Sequence, residues 1–318
     1  MSVNVQGSAS PQIGGAATRR RAAQTLVVDT ATAEVTAALA ARGIDCVLLR
    51  GPSVARRLYS TAELRSYIDA DLLVPPHQIA EAAATLASID FTPLAGDGDL
   101  DRHRPVHARE WRRGIVAVDL HRTVSGCTGP DDVVWQTFAE HSELVEISGA
   151  RVRVPAVSAL ALIVTLHAAH NGPRMPKPLA DLERALERFD EATWDEALRL
   201  AELVGAVAAF AAGLRLLPDG AARAPRVPAT VEVTLRASGA PPLALGLDWL
   251  LRMRGFRKKA ALVKHVLLPP RGALRTWRPL ARRGRAGLVA AYASQPFWLM
   301  RHALPSLIAV RRARRKDT

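Results

Sequence analysis

Apolar positions in the first half of the chain switch between helical and strand-like spacing. Residues 30–41 carry apolar side chains at helical spacing, with Thr30 or Thr32 as a cap and Glu34 in the first turn, and Gly43 follows as a stop. The short apolar run 46–50 predicts a buried strand. Gly51-Pro52-Ser53 then leads into a predicted helix over 54–59, where a proline in the first turn is favourable. Residues 68–74 predict a second strand, ended by Pro75-Pro76, and 77–88 an alanine-rich helix. Residues 106–112 and 115–123 flank Arg113-Gly114 and predict a hairpin. A helix over 131–141, with an acidic first turn, and a small hairpin of 144–147 with 151–154 complete this half.

From residue 158 the period is helical: 158–170, 179–189, 194–204 and 206–216. Helical segments continue to the C-terminus, interrupted by Pro269-Pro270, Pro279, Pro296 and Pro305, and there is no internal repeat. The expected organisation is a disordered Ser- and Gly-rich stretch at 1–22, an α/β domain at 23–155, a helical domain at 156–250 and a basic helical segment at 251–318. The fold class is α+β, a small mixed sheet with helices followed by a helical domain.

Composition changes this picture in one respect. The chain has 318 residues, a length suited to about two domains, and 49% of them are apolar, enough for a packed core. Cys46 and Cys127 form no metal-ligand spacing and no disulfide framework, and read as small buried hydrophobes. Arg19-Arg20-Arg21 is followed by no apolar stretch of signal-peptide length, and no uninterrupted apolar run has the length of a membrane span. The expected location is therefore the cytoplasm, at most peripheral to a membrane. Charge is unevenly spread. Residues 251–318 hold 18 of the 43 Lys and Arg but one of the 30 acids, a net +17, whereas the first 250 residues hold 25 and 29, a net −4. That asymmetry fits either a polyanionic partner (nucleic acid or anionic lipid) or a solvated arginine-rich helical face.

The candidate chemistry lies in the first half. Asp69 and Asp71 stand at i and i+2 of the predicted strand and so share one face. Two carboxylates side by side among Ile68, Leu72, Leu73 and Val74 repel each other unless a cation neutralises them. Mg²⁺ (or Mn²⁺) suits such a site, because it takes oxygen ligands and also binds substrate phosphates. Asp119, on the alternating strand Val116 to His121, offers a third carboxylate on the same face as His121. Gly51 and Ser53, between a strand and a helix, are candidates for binding phosphate through backbone N–H groups and a hydroxyl. Arg50 and Arg65 are candidate phosphate clamps. His121 is a candidate for orienting Asp119 or touching substrate. Lys177 and Asp181 border a loop placed to line a cleft between the two halves. His167 and His170, three apart on a helix, suit a structural or pocket-lining role. His103, Arg104 and His107 fall in a predicted loop beside the hairpin.

The ordered set of strand, Gly-x-Ser, helix, strand with D-x-D and hairpin strand with Asp resembles the DNA polymerase beta-like nucleotidyltransferase superfamily. It is similar in particular to the bacterial uncharacterised nucleotidyltransferase family, in Leu49-Arg50-Gly51, Leu58-Tyr59, Arg65, Asp69-Ala70-Asp71-Leu72-Leu73-Val74 and Val118-Asp119-Leu120-His121. The resemblance spans about residues 30–190, and a later histidine and Asp181-Leu182 match it loosely. It implies metal-dependent transfer of a nucleoside monophosphate from an NTP, ATP first among them, to an acceptor hydroxyl. It also implies that Asp69 and Asp71 hold the metals, that Asp119 binds the catalytic metal and acts on the attacking hydroxyl, and that Gly51 and Ser53 bind the triphosphate. Three positions depart from the family pattern. Pro52 splits the usual Gly-Ser pair, Arg50 stands where lysine is common, and Ala70 replaces a larger aliphatic residue. The alternative is a nucleotidyltransferase fold serving as a binding or regulatory module, with the basic tail engaging nucleic acid or membrane.

Overall fold

The computed structural model describes residues 12–60, 65–94 and 107–316. His103, Arg104 and residues 1–11 lie outside the described residues. The chain opens with one long helix, α1 (Gln12–Ala40). Residues 12–22, expected to be disordered, are its first turns. Pro11 is the last proline before Pro52, so no proline interrupts the helix, which carries Gly14-Gly15 in its first turn and ends before Gly43 at positive φ. Val28, Ala31, Val35 and Leu39 of α1 are buried, and Asp29 accepts hydrogen bonds from Tyr67 (2.6 Å) and Arg56 (2.8 Å). Arg113 also pairs with Glu34, so the C-terminal part of α1, from Val28 onward, is held to the sheet.

β1 (Val47–Leu48), α2 (Pro52–Leu58), β2 (Asp69–Leu73) and α3 (Ile79–Ser88) follow in order. β3 (Thr92–Pro93), β4 (Ala108–Arg113) and β5 (Val116–His121) complete a five-stranded sheet ordered β1-β2-β5-β4-β3. Only β2 and β5 run parallel within it; the other neighbours are antiparallel. The predicted hairpin turns at Arg113-Gly114, where Gly114 has positive φ. The helix α4 (Asp131–Glu140) and a separate hairpin, β6 (Ser142–Ile147) with β7 (Ala150–Pro155), close the α/β part.

The helical part comprises α5 (Val157–Asn171), α6 (Pro176–Arg188), α7 (Glu191–Leu203), α8 (Val207–Leu214) and the short α9 (Pro218–Ala221). It continues through α10 (Val231–Ala237), α11 (Ala244–Arg252), α12 (Phe256–Leu267), α13 (Arg271–Trp277), α14 (Gly284–Ala293) and α15 (Gln295–Lys316). No described helix is long and apolar enough to cross a membrane.

The sheet has two unlike faces. Ala70, Leu72, Val118 and Leu120 enter a core with α1 and α3. The opposite face meets α2 and the almost fully buried α5, in a core that joins Val47, Leu49, Val54, Leu58 and Leu73 to α5–α8. One core therefore crosses residue 155, and burial of this size holds the two halves as one packed unit. A third cluster joins Val231, Leu235 and Ala244 to Val310 and Ala313, which ties the basic segment back onto α10 and α11.

Candidate metal centre and its surroundings

Strand alternation builds the site. With Leu72 and Leu120 committed to the α1 core, Asp69, Asp71, Asp119 and His121 are left on the face that meets α2, α5 and α6. The parallel register sets Asp71 opposite Asp119, Asp69 opposite Ala117 and Leu73 opposite His121. Asp71, Asp119 and His121 each offer a ligand atom within 4.8 Å of the others. His121 Nε2 lies 3.0 Å from Asp71 Oδ1, and Arg50 Nη2 donates to that same oxygen. Asp69 sits one pleat away and is outside this group; Asp71 and Lys177 are the charges nearest to it in effect.

The electrostatics follow from burial and crowding. Burial pushes Asp71 up, but Arg50 and His121 together outweigh it and hold the carboxyl well below its ordinary value. Burial raises Asp119 to about 6, with Asp71 adding to the rise and His121 opposing it. Asp69 is raised as well, first by burial and then by Asp71, against the pull of Lys177, Arg50 and Arg65. Two carboxyl groups thus sit in a pocket that disfavours their charge. The donor set, carboxylates from adjoining strands with one imidazole, fits a divalent cation that would relieve this.

Gly51 shapes the approach to these strands. Its φ is +70°, a left-handed conformation, and a Cβ there would lie 2.6 Å from the carbonyl oxygen of Asp69. Only glycine lets the β1–α2 turn pass this close to β2. The neighbouring residues differ from the phosphate-binding expectation. Ser53 is buried and its hydroxyl donates to the Leu49 carbonyl at 2.9 Å. Pro52, at the first turn of α2, has no N–H to offer. Arg65 donates through Nε (2.7 Å) and Nη2 (2.6 Å) to both oxygens of Asp181, and through Nη1 to the Gly51 carbonyl at 3.2 Å. Tyr59 also donates to Asp181, at 2.8 Å. Arg65 and Asp181 are thereby a buried fork between the α/β part and α6, and they fix the Gly51 turn from below. Arg50 is directed at Asp71, to which its Nη2 donates. Lys177, exposed at the start of α6, interacts electrostatically with Asp69.

A histidine group backs the site. The His107 ring packs against His121 and His170, with centroids 5.7 and 5.6 Å apart. His170 Nδ1 is hydrogen-bonded with Ser125, and Arg236 lies 3.3 Å from its Nε2. His167 lines a small recess with Arg50, His121 and Ser125, and burial with Arg50 lowers its pKa well below the ordinary value. The i, i+3 spacing on α5 signalled His167 and His170. His107 carried no such signal, because its proximity depends on the β4–β5 register.

The profile of a family described as uncharacterised nucleotidyltransferase matches residues 15–219, well over half of the chain. The chain belongs to this family. Among solved structures it is similar to the solution structure of the antibiotic-resistance factor ANT(2'')-Ia, at 16% identity over 61% of this chain and 95% of that one, with a TM-score of 0.40. The crystal structure of ANT(2'')-Ia with adenylyl-2''-tobramycin gives 14% identity, 55% and 97% coverage and a TM-score of 0.38. An antigenic nucleotidyltransferase-like protein from Paracoccidioides brasiliensis gives 13%, 57% and 92%, and 0.33. Likenesses this distant say nothing about the substrate of the present chain. No match was found among curated proteins.

Proposed function

We propose that the chain is a metal-dependent nucleotidyltransferase that moves a nucleoside monophosphate from an NTP, ATP in the first instance, to an acceptor hydroxyl. The observation that carries this reading is the pairing of Asp71 with Asp119 across two parallel strands, with His121 closing the group to within 4.8 Å. Asp71, Asp119 and, from one pleat away, Asp69 would hold Mg²⁺ or Mn²⁺. A divalent ion there supplies charge stabilisation for an in-line displacement at phosphorus. His121, hydrogen-bonded with Asp71 Oδ1, is a positioning residue for that carboxylate. Asp119 would bind the catalytic metal and act, directly or through that metal, on the attacking hydroxyl. Gly51 brings backbone beside β2, and Lys177 is the cation assigned to a phosphate. Ser53 and Arg65 support the turn rather than touch the nucleotide.

One observation favours a second reading, a nucleotide-binding or regulatory module. The two arginines expected to clamp phosphate are engaged by acids, Arg50 by Asp71 and Arg65 by Asp181. A transfer assay separates the readings. With α-labelled ATP and Mn²⁺, the enzyme reading expects label on an acceptor in a lysate-derived small-molecule pool, lost in Asp71→Asn with Asp119→Asn. Calorimetric nucleotide binding without any labelled product would favour the module, and no metal-dependent binding at all would sink both.

A further inference from the structure

We infer that the C-terminal helices form a face that docks on an anionic membrane surface. Eleven of the nineteen large apolar side chains exposed among the described residues lie within 251–316. They share that stretch with the chain's basic excess, and no acid occurs among its described residues. Asp248, just before it, takes Arg252 and Arg314, so most of the positive charge is left without an acid of the segment's own.

The long helix α15 shows the arrangement. Its inner face seats Ser306, Val310 and Ala313, the last two against Val231, Leu235 and Ala244. Its outer face repeats at helical spacing through Phe297 (71% exposed), Met300 (64%), Leu304 (64%) and Ile308 (41%). Arg301, Arg311, Arg312 and Arg315 are exposed around that stripe. A surface helix normally turns its apolar stripe inward; this one is anchored by small residues and shows its bulky ones to the outside. At its C-terminal end the helix and α10 enclose a cavity of about 550 Å³ lined by Arg174, Arg312, Arg315, Thr234 and Ser238, with no acid on its wall. Such a recess suits the phosphate of a lipid headgroup.

Charge and side-chain chemistry together choose the occupant. A second copy of a face with this charge would be repelled. RNA would be held through its phosphates and by stacking of bases on aromatic rings. Nine of the eleven exposed side chains, however, are aliphatic or methionine, and Trp298 is already covered by Arg278 and His302. Aliphatic carbon gains from acyl chains, and arginine from anionic headgroups, which is the make-up of an interfacial helix. The absence of a membrane-crossing helix among the described residues makes the contact one that lies on the bilayer.

The test is flotation of the full-length chain with vesicles of phosphatidylcholine alone and with 30% phosphatidylglycerol, in 0.15 M NaCl. Binding at least tenfold stronger to the anionic vesicles is expected. Phe297→Ser with Met300→Ser and Leu304→Ser should weaken it at least tenfold, with an unchanged far-UV circular dichroism spectrum. Arg311→Glu with Arg315→Glu, which leaves the apolar stripe and inner face intact, should remove the preference for phosphatidylglycerol and decides the matter if the serine variant unfolds. No flotation with anionic vesicles overturns the inference. So does a folded serine variant that binds as well as the parent, or single-stranded RNA that binds the serine variant undiminished and displaces the parent from vesicles. Metal binding at Asp71 and Asp119 is a separate readout, and neither result depends on the other.

Discussion

Replacing Asp119 by asparagine should stabilise the metal-free protein at neutral pH and remove its response to metal. In the folded chain burial and Asp71 raise the Asp119 carboxyl from 3.8 to about 6. A shift of roughly two pKa units corresponds to about 3 kcal/mol at ~1.4 kcal/mol per unit. Asp119 is only partly shielded from solvent, so the realised figure is on the order of 1–3 kcal/mol. The sign is that of a raised carboxyl. The favourable contribution is complete below the unfolded value near 4, and is lost as pH rises through about 6. At pH 7.5 with EDTA, Asp119→Asn should therefore melt higher than the parent, by a few degrees at roughly 2–4 °C per kcal/mol. At pH 4.5 the two melting temperatures should converge. With Mn²⁺ at 1,000 times its Kd the parent should gain about 4.1 kcal/mol and the variant nothing, which reverses the order. Differential scanning calorimetry at both pH values, with and without Mn²⁺, checks all three points. A variant that is less stable than the parent at pH 7.5 in EDTA, or a difference that does not change with pH, would refute the charge-crowding argument.

Gly51→Ala places a methyl group against the Asp69 carbonyl in a left-handed turn and should cost on the order of 2–4 kcal/mol in urea unfolding, while weakening metal binding by moving β2. Arg65→Met leaves Asp181 buried without its partner and should destabilise by about 3–5 kcal/mol, whereas Arg65→Met with Asp181→Leu should recover much of that loss in the same measurement. Arg65→Lys should fail to rescue, since one ammonium cannot match the two-pronged contact. His121→Ala should lower Mn²⁺ affinity by calorimetry roughly tenfold or more through loss of the Asp71 contact, with His121→Gln retaining part of it.

Much of the α/β part could be read from residue order alone, because its periods are short and clearly punctuated. The hairpin at Arg113-Gly114 and the faces of β2 and β5 follow from alternation, and alternation also put Asp119 and His121 together. That β2 and β5 are neighbours is a different kind of fact. It depends on long-range pairing, which no local pattern encodes. The hydrogen-bond partners of Arg65 and Ser53 are illegible in the sequence for a related reason. Both sit near the Gly51 turn in sequence, but their partners are set by how α6 and the Leu49 carbonyl approach in space. Helix α1 begins well before its expected start because the alanine- and arginine-rich stretch after Gly14-Gly15 favours helix, a preference that the Ser- and Gly-rich composition of the first residues hides.

Asp181 joins these threads. A carboxylate 1% exposed on α6 would be intolerable alone, so it must be met by cations or strong donors from the α/β part. Arg65 and Tyr59 meet it, and the same guanidinium reaches the Gly51 carbonyl. The helical half therefore holds the turn that borders Asp69, and it does so through an interaction whose loss is felt at both ends. Lys177 lies one turn before Asp181 on the same helix and interacts electrostatically with Asp69 and Asp71. Packing α6 against the sheet thus sets the Gly51 turn, buries Asp181 and presents Lys177 in a single step. In the proposed chemistry the helical half is part of the site for that reason, since it supplies both the anchor of the Gly51 turn and the Lys177 cation.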